Sequence, residues 1–158
     1  YFAAPTGRYL MDRQVGEAVA GYLSAVGLKV RYESPPWGVL VAEVTKYEKC
    51  SYDGYMFGYG TYSNHPDWLM RDHFHSRAVK RTLYRNPEVD RLLEEGMGAF
   101  DEKKMLEVYY KAQEIVWDEA PWLFLHEQPS IEAKCKKLNW SAGRRDEFLI
   151  FHDASLQA

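Results

Sequence analysis

Apolar positions along this chain follow two periods, and each change of period marks an element. Phe2, Ala3 and Ala4 are an apolar start that Pro5-Thr6-Gly7 ends, which predicts a strand over 1–4. Asp12 sits where a helix N-cap is wanted. Val15, Val19, Tyr22, Leu23 and Val26 follow at helical spacing, and Gly27 supplies a stop. Leu28, Val30 and Tyr32 then alternate with Lys29, Arg31 and Glu33, the pattern of a strand with one buried face. Ser34-Pro35-Pro36 breaks the chain. Trp37, Leu40, Val41 and Val44 predict a second helix, running to about Lys49. The glycine-bounded run Tyr55 to Tyr59 reads as a buried strand. Strand, helix, strand, helix, strand is the order of a parallel α/β unit.

Gly60, Thr61, Tyr62, Ser63 and Asn64 form a loop of small and hydrogen-bonding residues, and Pro66 to Phe74 reads as a short helix. Ser76 to Arg85 is polar, basic and irregular, a surface loop. Asn86-Pro87-Glu88 combines an N-cap, a proline at the first helical position and an acid in the first turn, with Val89, Leu92 and Leu93 as the apolar stripe. Asp101 caps a further helix with the face Met105, Val108, Ala112, Ile115 and Val116, ending before Pro121. The two helices are expected as an antiparallel pair packed on the sheet. Trp122 to Leu125 reads as one more strand. From Gln128 the periodicity is lost: Lys134-Cys-Lys-Lys137 and 139–145 follow no period, and Phe148 to Phe151 is a late apolar run. The expected division is therefore a compact α/β unit over 1–127 and a tail over 128–158.

Composition narrows the function classes. A chain of 158 residues can bury one core. Its net charge of -3, without a basic block, lacks the electrostatic footprint of a nucleic-acid binder. No apolar run approaches bilayer-spanning length. Twelve tyrosines and five tryptophans supply rigid contact area with polar tips, useful in a ligand cleft and equally at home in a core. Cys50 and Cys135 could pair or stay free and do not have metal-ligand spacing. The chain begins at Tyr1-Phe2 without an initiator methionine or a signal-like segment, which suggests a processed or excised piece.

There is no glycine-rich phosphate loop and no Gly-x-Ser-x-Gly elbow. Asp72-His73-Phe74-His75 could offer metal ligands, but surface histidines are the default reading, so no metal is assigned. His65 and His126 are single imidazoles, read as structural or exposed, and Glu94-Glu95 as a solvated helix face. Trp37 is either a core anchor or part of a pocket wall. A strand running into an aromatic, polar loop at 55–64 is where α/β proteins place ligands.

Several short motifs together resemble one family. Gly7-Arg8-Tyr9-Leu10-Met11-Asp12, Val26-Gly27-Leu28-Lys29-Val30, Trp37, Tyr52-Asp53-Gly54-Tyr55, Gly58-Tyr59-Gly60, Asn86-Pro87-Glu88-Val89-Asp90 and Ala120-Pro121-Trp122 are similar, in order and spacing, to the C-terminal lobe of family 5 solute-binding proteins of ABC transporters. These are the oligopeptide, dipeptide and nickel binders. The resemblance implies one lobe of a type II periplasmic-binding-protein fold, an α/β architecture with a mixed, mostly parallel sheet flanked by helices. A missing N-terminal lobe would close on the ligand, with the tail crossing back toward it. An isolated fragment is then expected to expose apolar surface.

The resemblance further implies a peptide or related polar solute as ligand, ABC permease subunits as partners, no catalysis and no cofactor. It implies a location on the periplasmic or extracellular face of the membrane, with lipid anchoring of the parent left open. Trp37 and Tyr59 would grip the solute; Tyr62, Asn64 and Asp67 would orient it. Tyr62 stands where peptide binders carry an aspartate for the peptide amine, and Met56 where some carry an arginine for its carboxylate. That puts free-amine peptides in question and leaves a sugar or modified peptide open. The alternatives are a hydrolase or transferase domain working through a histidine such as His65, and a stand-alone interaction module.

Overall fold

The structure, a computed structural model, describes residues 1–60, 65–77, 83–129, 131, 133–140, 151–152 and 154–156. Its order is β1 (Phe2–Ala3), α1 (Asp12–Ala25), β2 (Tyr32–Glu33), α2 (Trp37–Val44), β3 (Gly54–Tyr55), α3 (Pro66–Phe74), α4 (Pro87–Met97), α5 (Glu102–Glu119), β4 (Leu138–Asn139) and β5 (Ser155–Leu156). β1 lies between β2 and β3 and is parallel to both, with Phe2 opposite Tyr32 on one side and Gly54 on the other. β4 and β5 form a separate antiparallel pair. The α/β architecture expected from the pattern is therefore present, with strands shorter than predicted.

The strands are short because only two residues of each find a ladder partner. Leu28 is more than half exposed, and the run 56–59 continues extended past β3, with the Met56 amide donating to the Ala3 carbonyl at 2.8 Å. The helix begun at Trp37 ends at Val44; Tyr47, at φ 56°, starts a short 3-10 turn over Tyr47–Lys49. Trp122 to Leu125 is not a strand: Leu123, Phe124 and Leu125 are exposed coil.

α1 meets β1 through small residues rather than through the expected valines. Its buried line is Asp12, Gly16 and Ala20, while Tyr22 and Val26 face solvent. A Cβ on Gly16 would collide with the Ala4 Cβ and lie 2.6 Å from the Tyr32 hydroxyl. Asp12 is the first helical residue, not the cap. Its carboxylate accepts from the backbone N–H groups of Arg8 at 2.8 Å and Tyr9 at 3.1 Å, so it organises the loop before the helix. Gly27, at φ 94°, ends the helix in the conformation only glycine adopts freely.

The helical hairpin forms as its signals predict. Asn86 accepts from the amides of Glu88 and Val89 above Pro87, and Asp101 accepts from that of Lys104. It does not lie on the sheet, however. α3, α4 and α5 build their own core of Met70, Phe74, Val89, Leu92, Leu93, Val108, Tyr109, Ala112 and Val116. Ala3, Leu40 and Val44 centre a second, smaller core under the sheet, with Tyr55 and Phe57 against it. The short loop 98–101 and two apolar stripes suffice to zip the hairpin, and α3 offers it a closer apolar face.

Gly16→Ala is expected to destabilise the chain by about 1–3 kcal/mol through overpacking. Gly21, with nothing within 4 Å of a built Cβ, is the control on the same helix; Gly21→Ala is expected to stabilise by about 0.5–1 kcal/mol. Thermal denaturation of the two variants checks both signs.

Candidate functional site

In a parallel sheet ordered β2-β1-β3, chain connections leave β1 toward one neighbour and reach the other from the opposite face. The crevice beyond the carboxyl ends of β1 and β3 is then the usual place for a ligand. Three segments converge there: the loop 5–11 after β1, the residues 56–60 after β3, and the start of α2 after β2.

Their aromatic rings touch in series. Trp37 opens α2 directly after Pro36, whose ψ of 145° turns the chain into the helix. Its ring meets Phe57 at 4.7 Å and the edge of Tyr9 at 5.8 Å. Phe57 and Tyr59 lie on one face because they are two residues apart in an extended chain, and their rings stack at 5.6 Å. Tyr59 continues to Trp122 at 5.5 Å and to the buried imidazole of His73 at 3.9 Å. Trp37 and Tyr59 are both half-buried, so the two predicted gripping residues share one band, with Phe57 between them.

Tyr9, which sequence reasoning used only as part of a motif, fixes that band. Its hydroxyl accepts from the Gly58 N–H at 2.9 Å and donates to the Gly58 carbonyl at 3.1 Å. A Cβ at Gly58 would stand 3.0 Å from the Tyr9 ring, so the glycine is required by this approach. No local sequence signal links two positions 49 apart.

Asp67 is placed differently. It lies in the first turn of α3, where Arg71 Nε and Nη2 donate to its two oxygens at 2.9 and 3.0 Å and the Tyr109 hydroxyl donates at 2.6 Å. Arg71 also reaches Glu94 Oε1 at 3.1 Å and the Leu93 carbonyl at 2.7 Å. Burial would raise the Asp67 carboxyl; the bonds from Arg71 and Tyr109 outweigh it and hold it below the usual carboxylate range. Burial and the neighbouring carboxylate push the Tyr109 phenol up. Asp67 thus ties α3 to α5. Tyr62 and Asn64 lie outside the described residues.

The histidines differ from the sequence reading. His73 and His75 are buried rather than on the surface. His75 Nδ1 accepts from the Arg77 amide at 3.0 Å, which places its proton on Nε2, facing Glu94 at 3.1 Å. His65 is exposed, and its Nδ1 accepts from the Asp67 amide as the N-cap of α3. Cys50 and Cys135 are both free. Among the described residues no group of three potential ligands could hold a metal ion, and no helix is long and apolar enough to cross a membrane.

Comparison with known proteins agrees with this arrangement. No protein-family model matches the chain. It is 29% identical over 142 residues to the glutathione-binding protein GsiB of Escherichia coli strain K12, a match covering 85% of this chain and 28% of that protein. The glutathione-binding protein GsiB of Pectobacterium atrosepticum is 27% identical over 141 residues, covering 85% and 27%. The chain therefore spans little more than a quarter of these relatives. Among solved structures, a dipeptide-binding protein from Pseudoalteromonas sp. SM9913 in complex with Met-Leu superposes with a TM-score of 0.67 at 18% identity, covering 76% of this chain and 24% of that one. The oligopeptide-binding protein AppA from Bacillus subtilis, in complex with a nonapeptide, gives 0.62 at 23%, with the same coverages. The fold is that of a part of these peptide-binding proteins. The relatives are binding proteins, as the motif resemblance implied.

Two measurements check the Asp67 tie. Tyr109→Phe is expected to cost roughly 1.5–3 kcal/mol in urea denaturation, as a bond to a charged group is lost. Because the folded-state pKa of Asp67 is depressed, its stabilisation is complete above the unfolded carboxyl value of about 3.9 and is lost as pH falls through the lower folded value. The stability gap between wild type and Asp67→Asn is therefore expected to be full at neutral pH and to shrink below about pH 4. A gap unchanged down to pH 2 would remove the assignment.

Proposed function

We propose that this chain is the C-terminal lobe of an extracytoplasmic solute receptor that hands a peptide or related polar solute to an ABC importer. The carrying observation is the half-buried aromatic band from Trp37 through Phe57 to Tyr59, set at the carboxyl ends of parallel strands where the strand order reverses. A glutathione-binding relative and neighbours holding a dipeptide or a nonapeptide support small peptides as the solute class. The receptor binds and releases without catalysis and works at the periplasmic or outer face of the membrane, where permease subunits receive the solute.

In this reading 1–127 is the lobe and 128–158 the tail that returns to the N-terminal lobe. Exposed Leu123, Phe124 and Leu125, with Trp117 stacked on Phe124 at 5.6 Å, support a body made to be covered by more protein. Trp37 and Tyr59 grip the solute through their faces. Tyr62 and Asn64 orient it, an assignment that rests on the motif resemblance. Asp67 contributes by holding α3, and with it His73, behind Tyr59.

Isothermal titration of the longer parent chain with glutathione, Met-Leu and a nonapeptide tests the reading. At least one is expected to bind, and Trp37→Ala and Tyr59→Ala are each expected to weaken it about tenfold or more, the scale of one lost aromatic contact. Unchanged affinity in both folded variants would remove the site assignment. Turnover of a solute abolished by His65→Ala would favour the hydrolase alternative.

A further inference from the structure

The guanidinium of Arg8 closes one end of the aromatic band. Arg8 is exposed, and its Cζ lies 5.4 Å from the centre of the Trp37 ring and 5.5 Å from that of Tyr9. The backbone beneath it is fixed. Its own N–H and that of Tyr9 donate to the buried Asp12 carboxylate, and the Tyr9 hydroxyl is pinned to the Gly58 peptide. Asp12 thus holds the loop and not the guanidinium. Among the described residues no carboxylate pairs with Arg8, whereas Arg13, Arg71 and Arg91 each have an acidic partner.

A guanidinium held near aromatic rings by cation–π attraction keeps N–H edges free for another partner. Those edges match a carboxylate through two parallel bonds. Met56 occupies the position where the motif resemblance would place an arginine for a carboxylate, so the charge is absent directly after β3 and present on the loop after β1.

We propose that Arg8 is the carboxylate-recognising residue of this cleft, and that the solute it selects carries a free carboxylate directed toward the loop 7–11. The inference rests on the solute-binding reading and adds the polarity of the ligand to it. The ring faces of Trp37 and Tyr59 receive the apolar part of the solute, and the Arg8 fork receives its acid end. Specificity then lies in an ion pair that a neutral amide cannot make.

The test uses the parent chain and two probe pairs: Met-Leu against its C-terminal amide, and glutathione against its diethyl ester. Wild type is expected to prefer the acid form of the probe it binds by roughly tenfold or more, with the preference shrinking as salt is raised. Arg8→Gln is expected to abolish the preference by weakening only the acid form. Arg8→Lys is expected to retain part of it, because the charge remains without the two-pronged fork. Arg8 is exposed, so an unchanged melting temperature verifies that each variant is folded. An acid preference that survives in Arg8→Gln overturns the proposal. If Tyr59→Ala weakens acid and blocked forms alike while Arg8→Gln changes neither, the Arg8 role falls and the binding site stands. Wild type binding none of the four probes overturns both.

Discussion

The contact on which the molecule depends is the packing of Tyr59 between two separate cores. One core lies under a three-stranded sheet whose strands pair over only two residues each. The other lies inside three helices and is the larger. Tyr59 stacks on Phe57, which packs against the first, and on Trp122, which packs against the second, and it touches the buried His73 ring of α3. A tyrosine here does what a small side chain could not. It spans the gap with a rigid ring that meets aromatic groups of both. The residue proposed to contact a solute is therefore also a structural joint.

The supports of this joint are polar and individually modest. Asp67, Arg71 and Tyr109 tie α3 to α5, and Arg71 extends the tie to Glu94 and the end of α4. His75 adds a buried contact to Glu94 from the last turn of α3. A second tie runs across the sheet, where the hydroxyls of Tyr1, before β1, and Tyr52, before β3, both donate to Glu33 of β2. Those bonds hold the Glu33 carboxyl below its usual range. Together these groups set the orientation of elements whose apolar contacts alone would allow sliding.

Much of the fold was legible in the chain because local chemistry decided it. Pro66, Asn86-Pro87 and Asp101 start helices for reasons contained within four residues, and those helices begin where they were read. Strand extents were not legible, since a ladder exists only where a distant segment arrives. Trp122 to Leu125 was misread because an apolar run looks the same whether it is buried in a sheet or left exposed beside one. The small-residue line Asp12, Gly16, Ala20 was missed because a search for large apolar residues passes over a close approach of helix to strand. Of the candidate site, Trp37 and Tyr59 were named from the motif resemblance, and only the aromatic, polar character of the run 55–64 was legible from the residues themselves. The engagement of Asp67 by Tyr109 and the grip of Tyr9 on Gly58 join positions 42 and 49 apart, and no periodicity reports such pairs.

The pair of hydrogen bonds from Tyr9 to Gly58 has a consequence for how the two segments it joins can move. One hydroxyl bonds both the N–H and the C=O of the same residue, so turning either of the two peptide units that flank the Gly58 Cα breaks one of the two bonds. The segment bearing Phe57 and Tyr59 and the turn bearing Arg8 are thereby clasped at Gly58, and drawing them apart costs both bonds together.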